Sequence, residues 1–439
     1  MDAFFYMNKQ TKNIYKLFLK SSGVFTDTRK PLVGGVFIAL RGPTFNGNTY
    51  ASKAIQQGAC LAIIDDYQLS KKNEKFIYVE DCYIMLKILA NHHRKKMTCP
   101  VLAITGSNGK TTTKELLKIV IKQGYKTHAT HGNLNNHIGV PLTILNTPLS
   151  SEFVIIEMGA NHLKEIKGLC EVAEPTHGFI TNFGKAHIEG FGSEKGVIEG
   201  KSELYTYLSK SKGTVFVNTD NVNQVEKLGE NPFISFGQSE SSNYSISYLT
   251  KNNKLELGFK GDKINSSLHG EYNFPNIAAA IAIGSFFKIP TNKIQKAIKS
   301  YESSNNRSQL IKLKNYEIIL DAYNANPSSM GLAIKSFKSR YLSDNIIILG
   351  DMLELGEYAL ISHQEIISLA IKSSFSKIIT VGKHFKETGM IFSNLLQFSS
   401  TISLIEYLNN NPIKEKNILI KGSRSMELER VLAFLEEKV

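Results

Sequence analysis

A short glycine loop between an apolar segment and a helical segment constrains this chain more than any other feature. The apolar run Val101–Thr105 has the composition of a buried strand, the loop Gly106–Thr111 follows it directly, and residues 112–123 have a helical pattern. Glycines in such a loop let backbone N–H groups point at phosphate oxygens, and the next helix adds the positive end of its dipole. The sequence therefore predicts a parallel α/β domain with a nucleotide phosphate site.

The side chains of this loop suit ATP. Lys110 is expected to neutralise the β- and γ-phosphates, and the Thr111 hydroxyl to bind Mg²⁺. Ile104 stands where the GxxxxGK[ST] pattern has its first glycine, so the loop has the shorter form TGxxGKT. The alternative is a tight turn in which Thr111 or Thr112 caps a helix. The predicted ATP-contacting residues of the loop are Gly106, Ser107, Asn108, Gly109, Lys110, Thr111 and Thr112.

The remainder of the chain predicts an α/β fold with three domains, because 439 residues exceed one ordinary core. Residues 1–98 alternate short apolar runs with polar turns, which indicates a small α/β module. Residues 99–305 continue the parallel-sheet rhythm around the glycine loop. Residues 306–439 repeat strand and helix as a Rossmann-like doubly wound domain, without a GxGxxG motif after its first strand.

The composition is that of a folded, basic protein. Fifty-two Lys and Arg against 39 Asp and Glu give a net charge of +13, but the lysines are spread along the chain rather than gathered in a stripe. A nucleic-acid-dependent ATPase is therefore an alternative from another class, although no recognised nucleic-acid module supports it.

The predicted compartment is the cytoplasm. The four cysteines form no CxxC pair, which favours reduced thiols. No apolar run approaches the roughly 20 residues of a membrane span. The N-terminal segment has no cleavable signal pattern.

Two further side chains follow predicted core strands. Glu157 closes the apolar run FVIIEM, and His187 lies in the loop after the next strand. Carboxyl ends of parallel strands meet at one edge of the sheet, so Glu157 suits a Mg²⁺ ligand beside the glycine loop. The alternative is a surface glutamate at a strand end. Lys201, in EGKSE, has the pattern of a surface lysine.

Several segments together resemble the Mur ligases over essentially the whole chain. They are GSNGKTTTKE, NLNNHIGVP, EMGANH, NFGKAHIEGFGS, GKSELY and DAYNANPSSM. The resemblance implies an enzyme of cytoplasmic peptidoglycan precursor synthesis that uses ATP to convert a carboxylate to an acyl phosphate, which an amine then attacks. The YNANP form resembles the branch that adds D-alanyl-D-alanine to UDP-N-acetylmuramoyl-tripeptide. A sister ligase adding a single amino acid is the alternative. We expect a monomer with no nucleic-acid partner.

The resemblance also implies roles for residues around the loop. Thr111 and Glu157 would hold one Mg²⁺, and His187 with a carbamylated Lys201 would hold a second. Lys110, His187 and Lys201 would be catalytic.

Further roles follow from the other matching segments. Asn276 matches a residue that contacts adenine, and Arg307 and Asp321 match residues that reach ATP from the C-terminal domain. Tyr272 stands where the family usually has histidine, and 46–48 where relatives carry an Asp-Gly-His-like turn. The implied UDP-binding residues are Thr26, Asp27, Thr28 and Arg29, and the implied amine-substrate residues are Asn324, Asn326 and Arg424.

Overall fold

The computed structural model describes residues 8–251, 254–303 and 306–437, and the chain forms three successive α/β units. The predicted boundary between residues 305 and 306 touches residues outside the described ones. The boundary at 98/99 falls between a helix that ends at Lys96 and a strand that begins at Val101. Within these ranges no helix is long and apolar enough to cross a membrane.

The first unit is a small parallel sheet in the order β1-β2-β5-β6, with a separate two-stranded hairpin, β3-β4. Its strands are β1 Val24–Phe25, β2 Val36–Ile38, β3 Arg41–Gly42, β4 Phe45–Asn46, β5 Leu61–Ile64 and β6 Phe76–Tyr78. Its helices are α1 Lys9–Phe18, α2 Ala51–Gln56, α3 Tyr67–Ser70 and α4 Cys82–Lys96, with a 3₁₀ turn at Gly47–Tyr50.

The second unit is built on a seven-stranded parallel sheet in the order β13-β12-β11-β10-β7-β9-β8. These strands are β7 Val101–Thr105, β8 Thr127–Ala129, β9 Phe153–Glu157, β10 His177–Ile180, β11 Thr214–Asn218, β12 Phe233–Gly237 and β13 Tyr244–Ser245. A three-stranded antiparallel sheet follows, with β14 Ser247–Lys251, β15 Lys254–Phe259 and β16 Asp262–Asn265. The helices are α5 Lys110–Ile121, α6 Gly139–Leu145, α7 Glu165–Ala173, α8 Ile188–Phe191, α9 Glu194–Ser211, α10 Val222–Glu226, α11 Phe274–Phe286 and α12 Thr291–Ser300, with a 3₁₀ turn at Glu271–Asn273.

The third unit is a six-stranded sheet in the order β17-β18-β22-β19-β20-β21, in which only β17 runs antiparallel to its neighbour. Its strands are β17 Gln309–Lys312, β18 Glu317–Asp321, β19 Asn345–Gly350, β20 Lys377–Val381, β21 Leu395–Phe398 and β22 Asn417–Lys421. Its helices are α13 Pro327–Arg340, α14 Ala359–Lys372, α15 Lys383–Glu387, α16 Thr401–Asn410 and α17 Glu429–Glu437, with 3₁₀ turns at Gly356–Tyr358 and Arg424–Met426.

The central sheet is buried on both faces, which explains its continuous apolar strands. All five residues of β7 and all five of β9 are buried. On one face Val101 and Ala103 join a core shared with the first unit, and on the other Leu102 and Ile104 pack with α5 and α11. Strand β7 pairs with β9 on one side and β10 on the other, so the chain leaves β7 at a topological switch point. A crevice at the carboxyl ends of the strands follows from this topology.

The first and second units share an apolar core and a buried polar seam under α4. Asn91 Nδ2 donates to the Glu171 carbonyl at 3.1 Å, and Arg94 Nε donates to the Ala173 carbonyl at 2.8 Å. The buried His93 ring places Nε2 2.9 Å from the Thr147 carbonyl. The basic end of this helix is therefore an interface with the second unit.

Candidate active site

A cavity of about 1870 Å³ lies at the carboxyl ends of the central strands, and all three units contribute to its walls. The first unit contributes Tyr83 and Lys87 from α4. The second unit contributes the glycine loop, and the third contributes the start of α13. The predicted phosphate loop thus opens into a space that three separate parts of the chain enclose.

The glycine loop has the backbone geometry that phosphate binding requires. Gly106 and Gly109 have φ angles of 135° and 78°, and a Cβ on Gly106 would lie 2.0 Å from Thr181 Oγ1. The Asn108 amide donates to Asn182 Oδ1 at 3.0 Å, which braces the loop against the end of β10. Gly109 occupies the cap position of α5 and gives no side-chain cap. The alternative in which Thr111 or Thr112 caps this helix is therefore wrong.

Lys110 folds back over its own loop. Its ammonium donates to the Gly106 carbonyl at 2.5 Å and the Ser107 carbonyl at 3.2 Å. Desolvation lowers the Lys110 pKa to about 8; the Glu157 carboxylate opposes this shift and Arg307 adds to it. A bound phosphate would place negative charge beside the ammonium and would raise the Lys110 pKa again.

Glu157 and Thr111 meet at the predicted metal position. The Thr111 hydroxyl donates to Glu157 Oε1 at 3.0 Å, and Asn135 Nδ2 donates to the same oxygen at 2.8 Å. The other oxygen, Oε2, is buried and has no hydrogen-bond partner among the described residues. Strand β9 ends inside the site, so Glu157 is 1% exposed and is not a surface glutamate.

Lys114 is a buried neighbour of Glu157 that the sequence reasoning missed. Its ammonium is 3.7 Å from Glu157 Oε2, 2.9 Å from Glu115 Oε1 and 2.8 Å from the Thr130 carbonyl. The side chain is fully buried. Its position four residues after Lys110 on α5 places both lysines on one helix face, which is the signal that could have found it.

Lys201 is fully buried, so the expectation of a surface lysine is wrong. Its ammonium donates to the Ala160 carbonyl at 2.8 Å and lies 5.1 Å from the centre of the Phe191 ring. Desolvation lowers its pKa far below the usual value, and the charge of Lys110 adds to the shift. Lys201 continues the buried stripe of α9 formed with Val197, Leu204 and Leu208, a spacing visible in the sequence.

His187 lies at the edge of the cavity with a left-handed backbone, φ 55° and ψ 36°. Its Nδ1 contacts the carboxylate of Glu354, which belongs to the third unit. The neighbouring His187 ring holds the pKa of Glu354 below its usual value. Glu354 was not among the predicted site residues.

The third unit brings two predicted nucleotide-contacting residues to the cavity. The Arg307 guanidinium stacks 3.6 Å from the centre of the Tyr323 ring. The Asp321 carboxylate accepts from the buried Lys421 ammonium at 2.6 Å and from the Ser308 amide at 3.0 Å. Asp321 is therefore held by a buried cation in its own unit.

Asn326, a predicted amine-substrate residue, lines the cavity and contacts the glycine loop. Its Oδ1 caps α13 by accepting from the Ser329 amide at 2.9 Å, and its Nδ2 donates to Asn108 Oδ1 at 2.8 Å. It therefore joins the third unit to the phosphate loop. Asn324 lines the same cavity, and its Oδ1 accepts from the next residue's amide.

Asn276 lies directly behind the glycine loop. Its Oδ1 accepts from the Thr113 hydroxyl at 3.1 Å, and a Cβ on Gly109 would lie 2.5 Å from that oxygen. Tyr272 also lines the cavity and donates to Ser308 Oγ at 3.0 Å, so it links the second unit to the third.

Comparisons with known proteins match this architecture. Residues 104–284 match the family described as Mur ligase middle domain, and residues 306–424 match Mur ligase, glutamate ligase domain. The UDP-N-acetylmuramoyl-tripeptide–D-alanyl-D-alanine ligase of Buchnera aphidicola subsp. Acyrthosiphon pisum is 35% identical over 433 residues, covering 95% of this chain and 94% of the relative. The ligase of the same name from Bacillus subtilis is 31% identical over 436 residues, covering 94% and 93%. The chain belongs to the Mur ligase family.

A solved Mur ligase shares the whole fold. The MurF ligase of Thermotoga maritima, in complex with ADP, gives a TM-score of 0.83 at 24% identity and covers 96% of this chain and 98% of its own. The predicted fold class, an α/β protein with a central parallel sheet and a C-terminal Rossmann-like sheet, is confirmed.

Some residues that the Mur ligase resemblance implied lie away from this cavity. Thr26, Asp27, Thr28 and Arg29 are not among its described lining residues, and the exposed Arg29 pairs with Asp27 at 2.8 Å. A hydrogen bond from Arg29 holds the Asp27 pKa below its usual value. The structure does not bring these residues to the phosphate loop.

Arg424, a predicted amine-substrate residue, and Asn48, in a segment that departs from the family pattern, each pair with a side chain of their own unit. Arg424 is also absent from the cavity's described lining and pairs with Glu429 at 2.5 Å. Asn48, in the 46–48 segment, is buried and donates to Asp65 Oδ1 at 2.6 Å. Asn48 therefore supports the first unit's fold.

The donors present fit a magnesium ion held jointly with nucleotide. A buried carboxylate oxygen without a hydrogen-bond partner lies beside the Thr111 hydroxyl, and oxygen ligands suit Mg²⁺. The described residues contain no cluster of three or more His, Cys, Asp and Glu that could hold a metal alone. Phosphate oxygens would supply the remaining ligands in this Mur ligase.

Proposed function

We propose that this chain joins D-alanyl-D-alanine to UDP-N-acetylmuramoyl-tripeptide with conversion of ATP to ADP and phosphate. One observation carries the proposal: a chain that is 35% identical to such a ligase over 95% of its length encloses its phosphate loop with all three units. The ADP complex of the Thermotoga maritima relative supports the nucleotide. We place the reaction in the cytoplasm, where ATP is available.

The first step activates the peptide carboxylate. A carboxylate oxygen attacks the γ-phosphorus, the bond to the β-phosphate oxygen breaks, and ADP leaves with its electron pair. The loop amides and the Lys110 ammonium hold the phosphates in line and stabilise the charge that moves onto the leaving oxygen. The low pKa of Lys110 in the free enzyme follows from desolvation, which the bound phosphates would offset.

The second step forms the peptide bond. The amine of the dipeptide attacks the acyl carbonyl, the C–N bond forms, the C–O bond to phosphate breaks, and the amine loses a proton. Water would hydrolyse the acyl phosphate, so its exclusion matters. Asn326 and Glu354 reach the second unit from the third, and these contacts would help to keep the two units together while the acyl phosphate exists.

Two magnesium ions would neutralise charge along this path. Thr111 and Glu157 would hold the first, and His187 with a carbamylated Lys201 the second. Lys201 fits carbamylation because its depressed pKa leaves a neutral amine that can attack CO₂, forming an N–C bond and releasing a proton. Lys201 would then be an anionic ligand.

Phosphate release measured with each substrate omitted in turn tests the proposal. Release that requires ATP, UDP-N-acetylmuramoyl-tripeptide and D-alanyl-D-alanine together is the expected result, and equal release without the dipeptide would contradict it. Turnover with a single amino acid instead would identify a sister ligase. Stimulation by DNA or RNA, with a steep loss at higher salt, would indicate the nucleic-acid-dependent ATPase.

A further inference from the structure

The contact between His187 and Glu354 has an unusual backbone on both sides. His187 has φ 55° and Glu354 has φ 61°, and neither residue is glycine. Left-handed conformations of such residues persist when the surrounding structure imposes them, and they are common at functional sites. Two separate units thus each hold a residue in this conformation at one shared contact.

The loop that carries Glu354 is fixed from beneath. The Met352 amide donates to Nε2 of the fully buried His363 at 3.0 Å, and the Leu353 amide donates to Ser423 Oγ at 3.2 Å. The Met352 side chain is buried, whereas the Glu354 side chain is 53% exposed. The loop therefore presents Glu354 outward, towards the second unit.

The His187 ring is constrained at one nitrogen. Nδ1 is buried and has no hydrogen-bond partner among the described residues, so the Glu354 carboxylate, which lies in ion-pair contact with it, is the group placed to attract its proton. A carboxylate beside one ring nitrogen favours the proton there, which leaves the lone pair of a neutral imidazole on the other nitrogen.

We infer that Glu354 is a positioning residue for His187. Its carboxylate keeps the imidazole proton on Nδ1 and leaves Nε2 as the nitrogen that can serve the cavity. Because Glu354 belongs to the third unit, His187 has this tautomer only when that unit is docked against the second. The orientation of the His187 ring therefore depends on the docking of the third unit against the second. The inference rests on the proposed function for its kinetic consequence, but the tautomer is a property of the protein alone.

The first test reads the His187 tautomer without substrates. Long-range ¹H–¹⁵N imidazole spectra are recorded at pH 8, and the His187 signals are those that His187→Asn removes. We expect a proton on Nδ1 in the unmodified protein, a shift to Nε2 in Glu354→Ala, and retention of Nδ1 in Glu354→Gln, which keeps an acceptor oxygen. The exposed Glu357, three residues along the same loop, gives the control Glu357→Ala, which should change nothing. An unchanged tautomer in Glu354→Ala would overturn the inference.

The second test is a double-mutant cycle on phosphate release. Glu354→Ala should lower kcat roughly 10- to 100-fold, the range for residues that orient a ligand, with the KM for ATP unchanged. In a His187→Asn background the same change should have no further effect, and a full additional loss would contradict the inference. If the unmodified protein releases no phosphate with D-alanyl-D-alanine, the proposed function fails, while the spectra still decide the role of Glu354.

Discussion

The Lys114 ammonium lies 3.7 Å from Glu157 Oε2, and both side chains are almost entirely buried. A buried charge that loses its partner destabilises a protein by about 3–5 kcal/mol. Lys114→Met should therefore lower the free energy of unfolding by about 3 kcal/mol, measured by urea denaturation. Magnesium with ATP would supply a replacement charge, so its stabilising effect should be larger in this variant.

Lys118 offers a matched control on the same helix. It pairs with Glu115 at 3.5 Å and is 31% exposed. Partly exposed ion pairs contribute about 0–1 kcal/mol, so Lys118→Met should remain within that range of the unmodified protein. Equal losses in the two lysine variants would show that the pair with Glu157 carries no special stability.

ATP affinity should fall as pH rises through about 8, the pKa of Lys110 in the free protein. The sign follows from the charge: the ammonium is present below this pH and becomes a neutral amine above it, and only the ammonium attracts phosphate. Binding measured calorimetrically from pH 6.5 to 9.5 checks this. Lys110→Arg should flatten the profile, because guanidinium stays charged throughout.

Lys201→Ala should abolish most ligase activity, and a short carboxylic acid should restore part of it by replacing the lost carbamate. In the unmodified protein, ¹³C-bicarbonate should give a carbamate signal that Lys201→Ala lacks. The signal should weaken as pH falls through the folded-state pKa, because protonation removes the attacking amine. Lys195→Ala, at an exposed position of the same helix, is the control. Full activity of Lys201→Ala without added acid would contradict the assignment.

Asn326 allows its two contacts to be separated. Asn326→Ser keeps an oxygen that caps α13 but loses the amide donor to Asn108, whereas Asn326→Ala loses both. Asn326→Ser should stay near normal stability and lose activity, while Asn326→Ala should also lose about 1 kcal/mol. Unfolding curves and phosphate release on both variants check this. Normal activity of the serine variant would remove any role for the contact with Asn108.

The nucleotide loop was predictable because its signals are local. The strand Val101–Thr105 is buried on both faces and therefore has a continuous apolar run, and Gly106 and Gly109 adopt the positive φ angles that the loop requires. Glu157 followed from the same logic, since parallel strands end at one edge. Lys201 also had a local signal, because it continues the apolar stripe of α9. The polar residues directly around it nevertheless suggested a surface position.

Contacts between units had no such local signal. Nothing around Glu354 indicates that its carboxylate meets His187, because the pairing depends on how two separately folded units dock. The burial of the basic end of α4 could not be predicted from the sequence either. Arg94 is buried because backbone carbonyls of the second unit accept its N–H groups. Burial of a charge by distant carbonyls leaves no pattern in the surrounding sequence.

The seam under α4 has a consequence for how the protein unfolds. The first and second units share one apolar core, so separating them would expose surface that both need for stability. The third unit keeps its own apolar clusters and meets the second through polar contacts such as Asn108–Asn326. Calorimetry should therefore resolve two cooperative blocks from three topological units. The third unit could therefore be replaced during evolution with less loss of stability than either of the first two units.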